Sequence, residues 1–545
     1  MANSGPGSLR STFRREDSLE RLAAEEFDVL VVGGGVTGVG VALDAASRGL
    51  SVALVDKGDL AAGTSSRSSK MVHGGLRYLQ HGEFGLVYQA LAERHRLLRN
   101  APHLVSVLPF VIPILKKGGV VDRRIAFGLG LAMWQYDLTG GLRIGRRHRK
   151  LNAGRVIDHL PSLKGDQIAS GYLYFDAWAD DARLTLAIAR TAALDHGAVV
   201  ATYAALTGVD RRDGRVVGAT VEADGRQIRV TCAAVVNACG VWAADVQSIA
   251  GVESDLEMRP AKGVHVTVPR DRLEVDLAVL LPVRGDRRSV FVLPWRDGHT
   301  YIGTTDTDHD GSLDEPLCDA DDVKYLLDAV NAMTDADLTV DDVTGTWAGL
   351  RPLVTPTDAG RTADLSRRHV VEGDGTGVVT VTGGKLTTYR RMAADTVDAV
   401  LEFRGESRRC RTRRLRLRGA VPAGATGSTG EPEPHLVGRY GFEAREVGAL
   451  IAEDPLLAEP LVTGLPYSRA EAVYAVRCEM AQTLDDVLSR RTRARIEDRD
   501  ATLLAVDAVA ELMGLEAGWS PERRRSEVET FEALVMAEDE AQSGF

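Results

Sequence analysis

A chain of 545 residues is long enough for two or three domains and a large buried core. Its 44% hydrophobic and 26% charged residues fit a globular enzyme, and a net charge of −11 argues against general nucleic-acid binding. Five cysteines (Cys232, Cys239, Cys318, Cys410 and Cys478) are odd in number and form no C-x-x-C pair, which argues for reduced thiols and against a zinc site.

Residues 1–26 are polar, lack the apolar run of a secretory signal and read as a tail in which 14–26 can form a short charged helix. No stretch reaches the roughly 18 apolar residues of a membrane span. The expectation is a cytoplasmic protein, or one lying on the cytoplasmic face of the membrane.

Residues 27–56 read as strand, glycine turn, helix and strand. Val29, Leu30, Val31 and Val32 suit a parallel strand buried on both faces. Gly33, Gly35 and Gly38 then supply G-x-G-x-x-G: a tight turn, a close backbone approach to a pyrophosphate, and tight helix–strand packing. Asp56 ends the second strand about 20 residues on, where its carboxylate can accept from a ribose hydroxyl. The absence of a basic residue at position 56 argues against a ribose 2′-phosphate. The whole unit predicts dinucleotide binding.

Residues 58–79 gather Thr64, Ser65, Ser66, Ser68, Ser69 and Lys70. Such a loop can bind phosphate through hydroxyls and amides, or be a plain polar loop. His73, Gly74, Gly75, Arg77 and Tyr78 follow closely, and an imidazole, a cation and a phenol near a nucleotide site make a plausible substrate pocket. Residues 104–115 and 125–138 are apolar, flanked by Lys116, Lys117, Arg123 and Arg124. Each is a core element or an interfacial surface, and the basic run 143–150 could face anionic lipid.

Asp180 or Asp181 is the expected N-cap of a helix over 183–196. Residues 208–230 read as a β-meander, and 233–240 as a buried strand whose small end, with Gly240, fits a close approach of backbone to cofactor. A β-rich insertion begins near Lys262 and reads as a substrate-binding cap, roughly residues 259–345. Asp306 lies in it, and Arg351 and Arg367 follow it. A strand over 377–381 then delivers Gly383, Gly384, Lys385, Leu386 and Thr387 to a helix start, a natural anion site. Eight arginines among residues 404–418 form an ion-paired strand or a membrane-facing patch, and 419–434 is a linker by composition. Residues 435–537 read as an α-helical domain before a tail at 538–545, with 479–495 a docking surface rather than a catalytic element.

These motifs together resemble the FAD-dependent, aerobic and quinone-linked glycerol-3-phosphate dehydrogenases. V-G-G-G-x-x-G-x-G-x-A-x-D-x-x-x-R-G runs intact over 32–49, and G-G-K-x-x-T-Y-R-x-x-A over 383–393. TSSxSSK, HGGLRYL, IGTTD and RPL stand between them in the family's order. Cys239 stands where the family often has threonine or alanine, and the match around Arg367 is loose enough that Arg368 competes with it. The resemblance implies an α/β fold: a Rossmann-type FAD-binding domain over 27–403, interleaved with an amino-acid-oxidase-like cap, plus a C-terminal all-α domain. It implies FAD held by Gly33, Gly35, Gly38, Asp56, Thr64, Ser65, Ser66, Ser69, Lys70, Gly240, Gly383, Gly384, Lys385, Leu386 and Thr387. It places Arg77, Tyr78, Arg351 and Arg367 on the substrate, with His73, Asp306 and Lys385 catalytic.

The implied reaction oxidises sn-glycerol 3-phosphate to dihydroxyacetone phosphate, with hydride passing to flavin N5. Arg351 with Arg367, and Arg77 beside them, suits bidentate capture of a phosphate dianion. Lys385 can stabilise developing negative charge. His73 is the first choice of base, because its ordinary pKa lies near working pH, with Asp306 as orienting group or alternative base. The implied partners are glycerol 3-phosphate, a membrane quinone and the membrane surface; a homodimer is compatible with this reading. The alternative acceptor is oxygen, which would make the protein an oxidase. A non-catalytic FAD sensor and an amino-acid oxidase are readings from other classes. His73, Arg351 and Lys385 weigh against the first, and the several arginines against the second.

Overall fold

Val29–Val32 is a strand buried at every position, as its unbroken apolar sequence requires. It pairs in parallel with Val52–Val55 on one side and Val235–Asn237 on the other. Val199–Ala201 and Val378–Gly383 extend this sheet, and His369–Gly373 closes it antiparallel, giving six strands. The computed structural model describes residues 13–75, 84–116, 133–134, 136–137, 144–253, 257–283, 288–295, 298–355, 369–420 and 433–543.

The helix Val36–Ser47 follows the glycine turn and packs on the helix Tyr389–Phe403. Gly40 permits that approach, since a Cβ there would lie 2.8 Å from the Tyr389 ring. The predicted meander is present as a four-stranded sheet: Ala205–Arg212, Arg215–Ala223 and Arg226–Cys232 in antiparallel order, with Glu26–Phe27 added in parallel. Its two tight turns carry positive φ at Asp213 and Gly214, and at Asp224 and Gly225.

The third sheet is larger than the expected cap. It contains Glu257–Pro269, Ala278–Pro282, Ser289–Pro294, His299–Gly303 and Gly345–Thr355, but also Met71–Val72, Val105–Leu115, Arg149–Asn152 and Ile168–Ala179. The strands of the insertion thus share their sheet with strands from far earlier in the chain. Val105–Leu115, one of the two apolar stretches, is a strand between Ile168–Ala179 and Ala278–Pro282, with Phe110 to Leu115 buried. Core wins over interface there. The second stretch lies largely outside the described residues.

Arg15–Ala24 forms the short charged helix that the sequence allowed, tied down where the Arg15 guanidinium bonds the Thr202 and Tyr203 carbonyls and Asp224. At the other end the last helix, Pro521–Ser543, runs well past 537. Helices from Pro434 onward form the C-terminal domain with apolar clusters of its own.

That domain docks through arginines buried in ion pairs. Arg491 and Arg490 bond Asp59, Arg493 bonds Asp180 and Asp181, and Arg183 and Arg190 of the main domain reach Glu479 and Glu443. Residues 479–495 are thus the docking element, folded partly as a π-helix over Asp486–Arg491. Within 404–418, Arg404 and Arg408 pair with Glu406, and Arg418 pairs with Asp195 and Glu443, without forming a strand. Among the described residues no helix is long and apolar enough to cross a membrane, and all five cysteines are free thiols.

Candidate active site

A cavity of about 850 Å³ opens above the carboxyl ends of the six-stranded sheet, within the size range of cofactor and ligand pockets. Three segments meet there: the glycine turn with Asp56, the loop at 62–68, and the turn at 383–386. Gly33 has a φ of +109°, and a Cβ on it would lie 2.7 Å from the Ala238 carbonyl oxygen. A Cβ on Gly38 would lie 1.8 Å from the Gly33 carbonyl oxygen, so Gly38 shapes the turn from below without lining the cavity. Gly35 lines it, with the Ser65 hydroxyl 3.1 Å from where its Cβ would be.

The Asp56 carboxylate accepts from the Gly34 amide at 2.5 Å and the Gly58 amide at 2.8 Å. Burial raises its pKa, and those two amides oppose the rise. Ser65 Oγ accepts from the Val36 amide at 2.9 Å, at the start of the glycine-turn helix. Amide donors, a carboxylate and missing side chains along one wall fit the pyrophosphate and ribose of a dinucleotide. Gly240 lines the same wall beside Cys239 and Trp242.

The hydroxyl loop divides. Thr64 and Ser65 line the cavity, whereas Ser66, Ser69 and Lys70 do not. Lys70 is fully buried, its ammonium donating to the Ser66 carbonyl at 3.0 Å and to Asp181 at 3.2 Å. Trp347 stacks beneath it with a ring centre 4.8 Å away. Burial and the nearby Arg493 push the Lys70 pKa down to about 8, against the pull of Asp181. Ser69 Oγ lies 2.8 Å from His265 Nε2, deeper still. Ser66, Ser69 and Lys70, expected to hold the cofactor, thus direct their side-chain polar groups to protein partners and stand outside the lining of the cavity.

His73, Arg351, Gly383, Gly384, Lys385 and Leu386 also line the cavity. Thr387 does not line it but clamps His73: its hydroxyl lies 3.2 Å from the His73 amide and 3.3 Å from the His73 carbonyl. Gly74 next door donates to Asp176 and to Tyr136 Oη, both at 3.1 Å. The backbone at His73 is thus held from two sides. Arg351 Nη1 donates to Asp306 at 3.0 Å, and its Nη2 donates to Thr304 Oγ1 at 3.2 Å and the Thr305 carbonyl at 3.1 Å. Asp306 does not itself line the cavity but accepts from Arg351, which does. Arg77, Tyr78 and Arg367 lie outside the described residues.

Several cavity residues escaped the sequence reading. Lys57 lies over the Trp242 ring at 4.7 Å and pairs with Asp314 at 2.6 Å. Tyr203, Asp485 and Arg490 also line the wall near Asp59. No local pattern announces these, since two of them come from the C-terminal domain. Gly263 matters too, because a Cβ there would lie 2.5 Å from Arg351 Nη2.

Residues 28–390 match the family described as FAD dependent oxidoreductase, and residues 410–524 match the C-terminal domain of alpha-glycerophosphate oxidase. Glycerol-3-phosphate dehydrogenase of Mycobacterium leprae is 41% identical, over 98% of this chain and 92% of that protein. The structure of glycerol-3-phosphate dehydrogenase from Bacillus halodurans complexed with FAD is 29% identical, with a TM-score of 0.78 over 97% of this chain and 98% of that one. Glycine oxidase from Bacillus cereus shares the fold at 21% identity, with a TM-score of 0.51 over 70% of this chain and 99% of that one. The protein accordingly takes FAD as its cofactor and is an oxidoreductase acting on a CH–OH group. The chain belongs to the family of FAD-dependent glycerol-3-phosphate dehydrogenases.

Proposed function

We propose that this enzyme converts sn-glycerol 3-phosphate to dihydroxyacetone phosphate and passes the electrons to a membrane quinone. The observation that carries the reading is the convergence of His73, Arg351 and Lys385 on the cavity that also holds the glycine turn. Bound FAD supplies the acceptor for the hydride that leaves C2. The protein's own residues do the rest.

Arg351 receives the substrate phosphate, its guanidinium already oriented by Asp306, Thr304 and the Thr305 carbonyl. Arg77, Tyr78 and Arg367, which the family resemblance assigns to the substrate, complete that pocket. His73 takes the proton from the C2 hydroxyl, its main chain fixed by Thr387. Asp306 acts as the orienting partner of Arg351 rather than as the base. Lys385 stabilises negative charge developing at the reacting oxygen.

A surface feature supports the membrane partner. Arg146, Arg147, Arg149 and Lys150 are exposed, and Trp134, half exposed, packs edge-on against His148 at 5.2 Å. Exposed cations around a tryptophan suit the headgroup layer of an anionic membrane. The name of the C-terminal family favours oxygen as a second acceptor. One experiment separates the readings: anaerobic addition of glycerol 3-phosphate, followed by quinone in one arm and oxygen in the other. Bleaching of the visible flavin band and recolouring by quinone is the expected result. Rapid recolouring with stoichiometric peroxide would identify an oxidase, and no bleaching would defeat the substrate assignment.

A further inference from the structure

Arg490, with Asp485, brings the C-terminal domain to the wall of the cavity, and it does so while holding the loop that follows Asp56. Asp59 is fully buried and accepts from Arg490 Nε at 2.7 Å, Arg491 Nη1 at 2.5 Å and Arg491 Nη2 at 2.7 Å. Arg490 Nη2 also donates to Asp486 Oδ1 at 2.6 Å, and that same oxygen accepts from Tyr203 Oη at 2.6 Å. Tyr203 returns to the loop, its amide donating to the Gly58 carbonyl at 2.9 Å, and the Ala204 amide donates to the Asp56 carbonyl at 2.7 Å. Asp56, Gly58, Asp59, Tyr203 and Arg490 all line the cavity. The bonds close a ring around the turn that presents the Asp56 carboxylate.

We propose that Arg490 is a positioning residue for FAD: from the C-terminal domain it holds the loop that fixes the Asp56 carboxylate at the cofactor. The physical ground is the burial of Asp59. A carboxylate without solvent is tolerable only beside cations, and both cations come from the C-terminal domain. Loss of Arg490 would leave Asp59 and Asp486 short of a cation, and the loop would open toward water. Asp56, three residues away in that loop, would lose its fixed place.

The test uses the full-length chain stripped of FAD and reloaded, with affinity read from quenching of FAD fluorescence. Arg490→Ala should weaken FAD binding by about tenfold or more, and Arg490→Lys should recover part of it. Glu443→Gln, which weakens docking through Arg190 and Arg418 away from the cavity, should leave FAD affinity within about twofold. Both Arg490→Ala and Glu443→Gln should lower the melting temperature of the FAD-free chain, but only the first should shrink the rise that FAD adds. Unchanged affinity in Arg490→Ala, or an equal loss in Glu443→Gln, would overturn the proposal. If Arg490→Ala does not fold, Tyr203→Phe removes only the hydroxyl that bonds Asp486 and Thr483. A weaker FAD affinity then supports the ring, and an unchanged one sinks it.

Discussion

Arg351 and Lys385 face one cavity but are held in different ways. Arg351 is fixed by an ion pair and two oxygen acceptors before any substrate arrives. A pre-oriented cation on a remote phosphate binds ground and transition states about equally, and that shows in KM. Lys385 sits at the entry to the turn Leu386–Thr388, with extended backbone, beside the clamp on His73. A cation there acts on charge that develops during the reaction, and that shows in kcat. Arg351→Ala should therefore raise KM for glycerol 3-phosphate at least tenfold, the scale of a lost charged hydrogen bond, with a smaller change in kcat. Lys385→Ala should instead lower kcat about a hundredfold. Steady-state kinetics on the two variants decide it, and the opposite split would exchange their roles. At this scale the sequence was readable where geometry is local. The glycines announce themselves because a close approach admits no other residue. Lys70 does not: a lysine in a Gly/Ser loop looks the same whether it faces a phosphate or a carboxylate more than a hundred positions away.

Strand pairing determines where Arg351 can point. Glu257–Pro269 and Gly345–Thr355 run antiparallel in a register that sets Ala261 opposite Arg351 and Gly263 opposite Gly349. Both glycines leave room at the pairing: a Cβ on Gly349 would meet the Arg67 carbonyl oxygen at 2.4 Å, and one on Gly263 would meet Arg351 Nη2 at 2.5 Å. Gly263→Ala should push the guanidinium off Asp306 while leaving the glycine turn untouched. Overpacking of this kind costs roughly 1–3 kcal/mol, so KM should rise about tenfold with FAD content unchanged. Loss of FAD from that variant would show the strand pair supports the cofactor as well as the substrate. The insertion's strands were legible from their alternation, yet the sheet's extent was not. Ile168–Ala179 joins it by pairing with Val105–Leu115, a contact set by the tertiary packing of two apolar runs rather than by any turn between them. The register that places Arg351 is equally nonlocal.

The joint between the two domains is built from charges that the sequence shows only as a basic, solvated-looking run. Arg490, Arg491, Arg493 and Arg495 are all buried, each matched to an acid elsewhere in the chain or the domain. Pairing at that distance leaves no pattern in the letters, although the charge density of 479–495 does mark it as a contact surface. Burial alone would raise the carboxyls of Asp59, Asp180 and Glu479, but the arginines outweigh it and hold all three below the usual range. Their contribution is intact above about pH 4 and is lost as pH falls below it.

A second group at the same joint acts earlier in the acid range. The His103 ring packs against the backbones of Gly419 and Gly441, with Nδ1 buried and no hydrogen-bond partner among the described residues. Burial, with Arg183 nearby, pushes its pKa down to about 4. The unfolded chain takes up this proton near pH 6.5, while the folded chain resists it until about pH 4. Stability therefore falls as pH falls through that window, by about 2 kcal/mol between pH 7 and pH 5 from this residue alone. His265, held neutral by burial and by Lys70 and Arg351, adds to the slope in the same direction. Denaturant titrations of the native chain and of His103→Gln at the two pH values measure the effect. The variant should lose about 2 kcal/mol less on acidification, because glutamine takes up no proton in either state. Equal losses would mean that His103 is protonated in the folded protein, and that the joint opens enough at pH 5 to hydrate it.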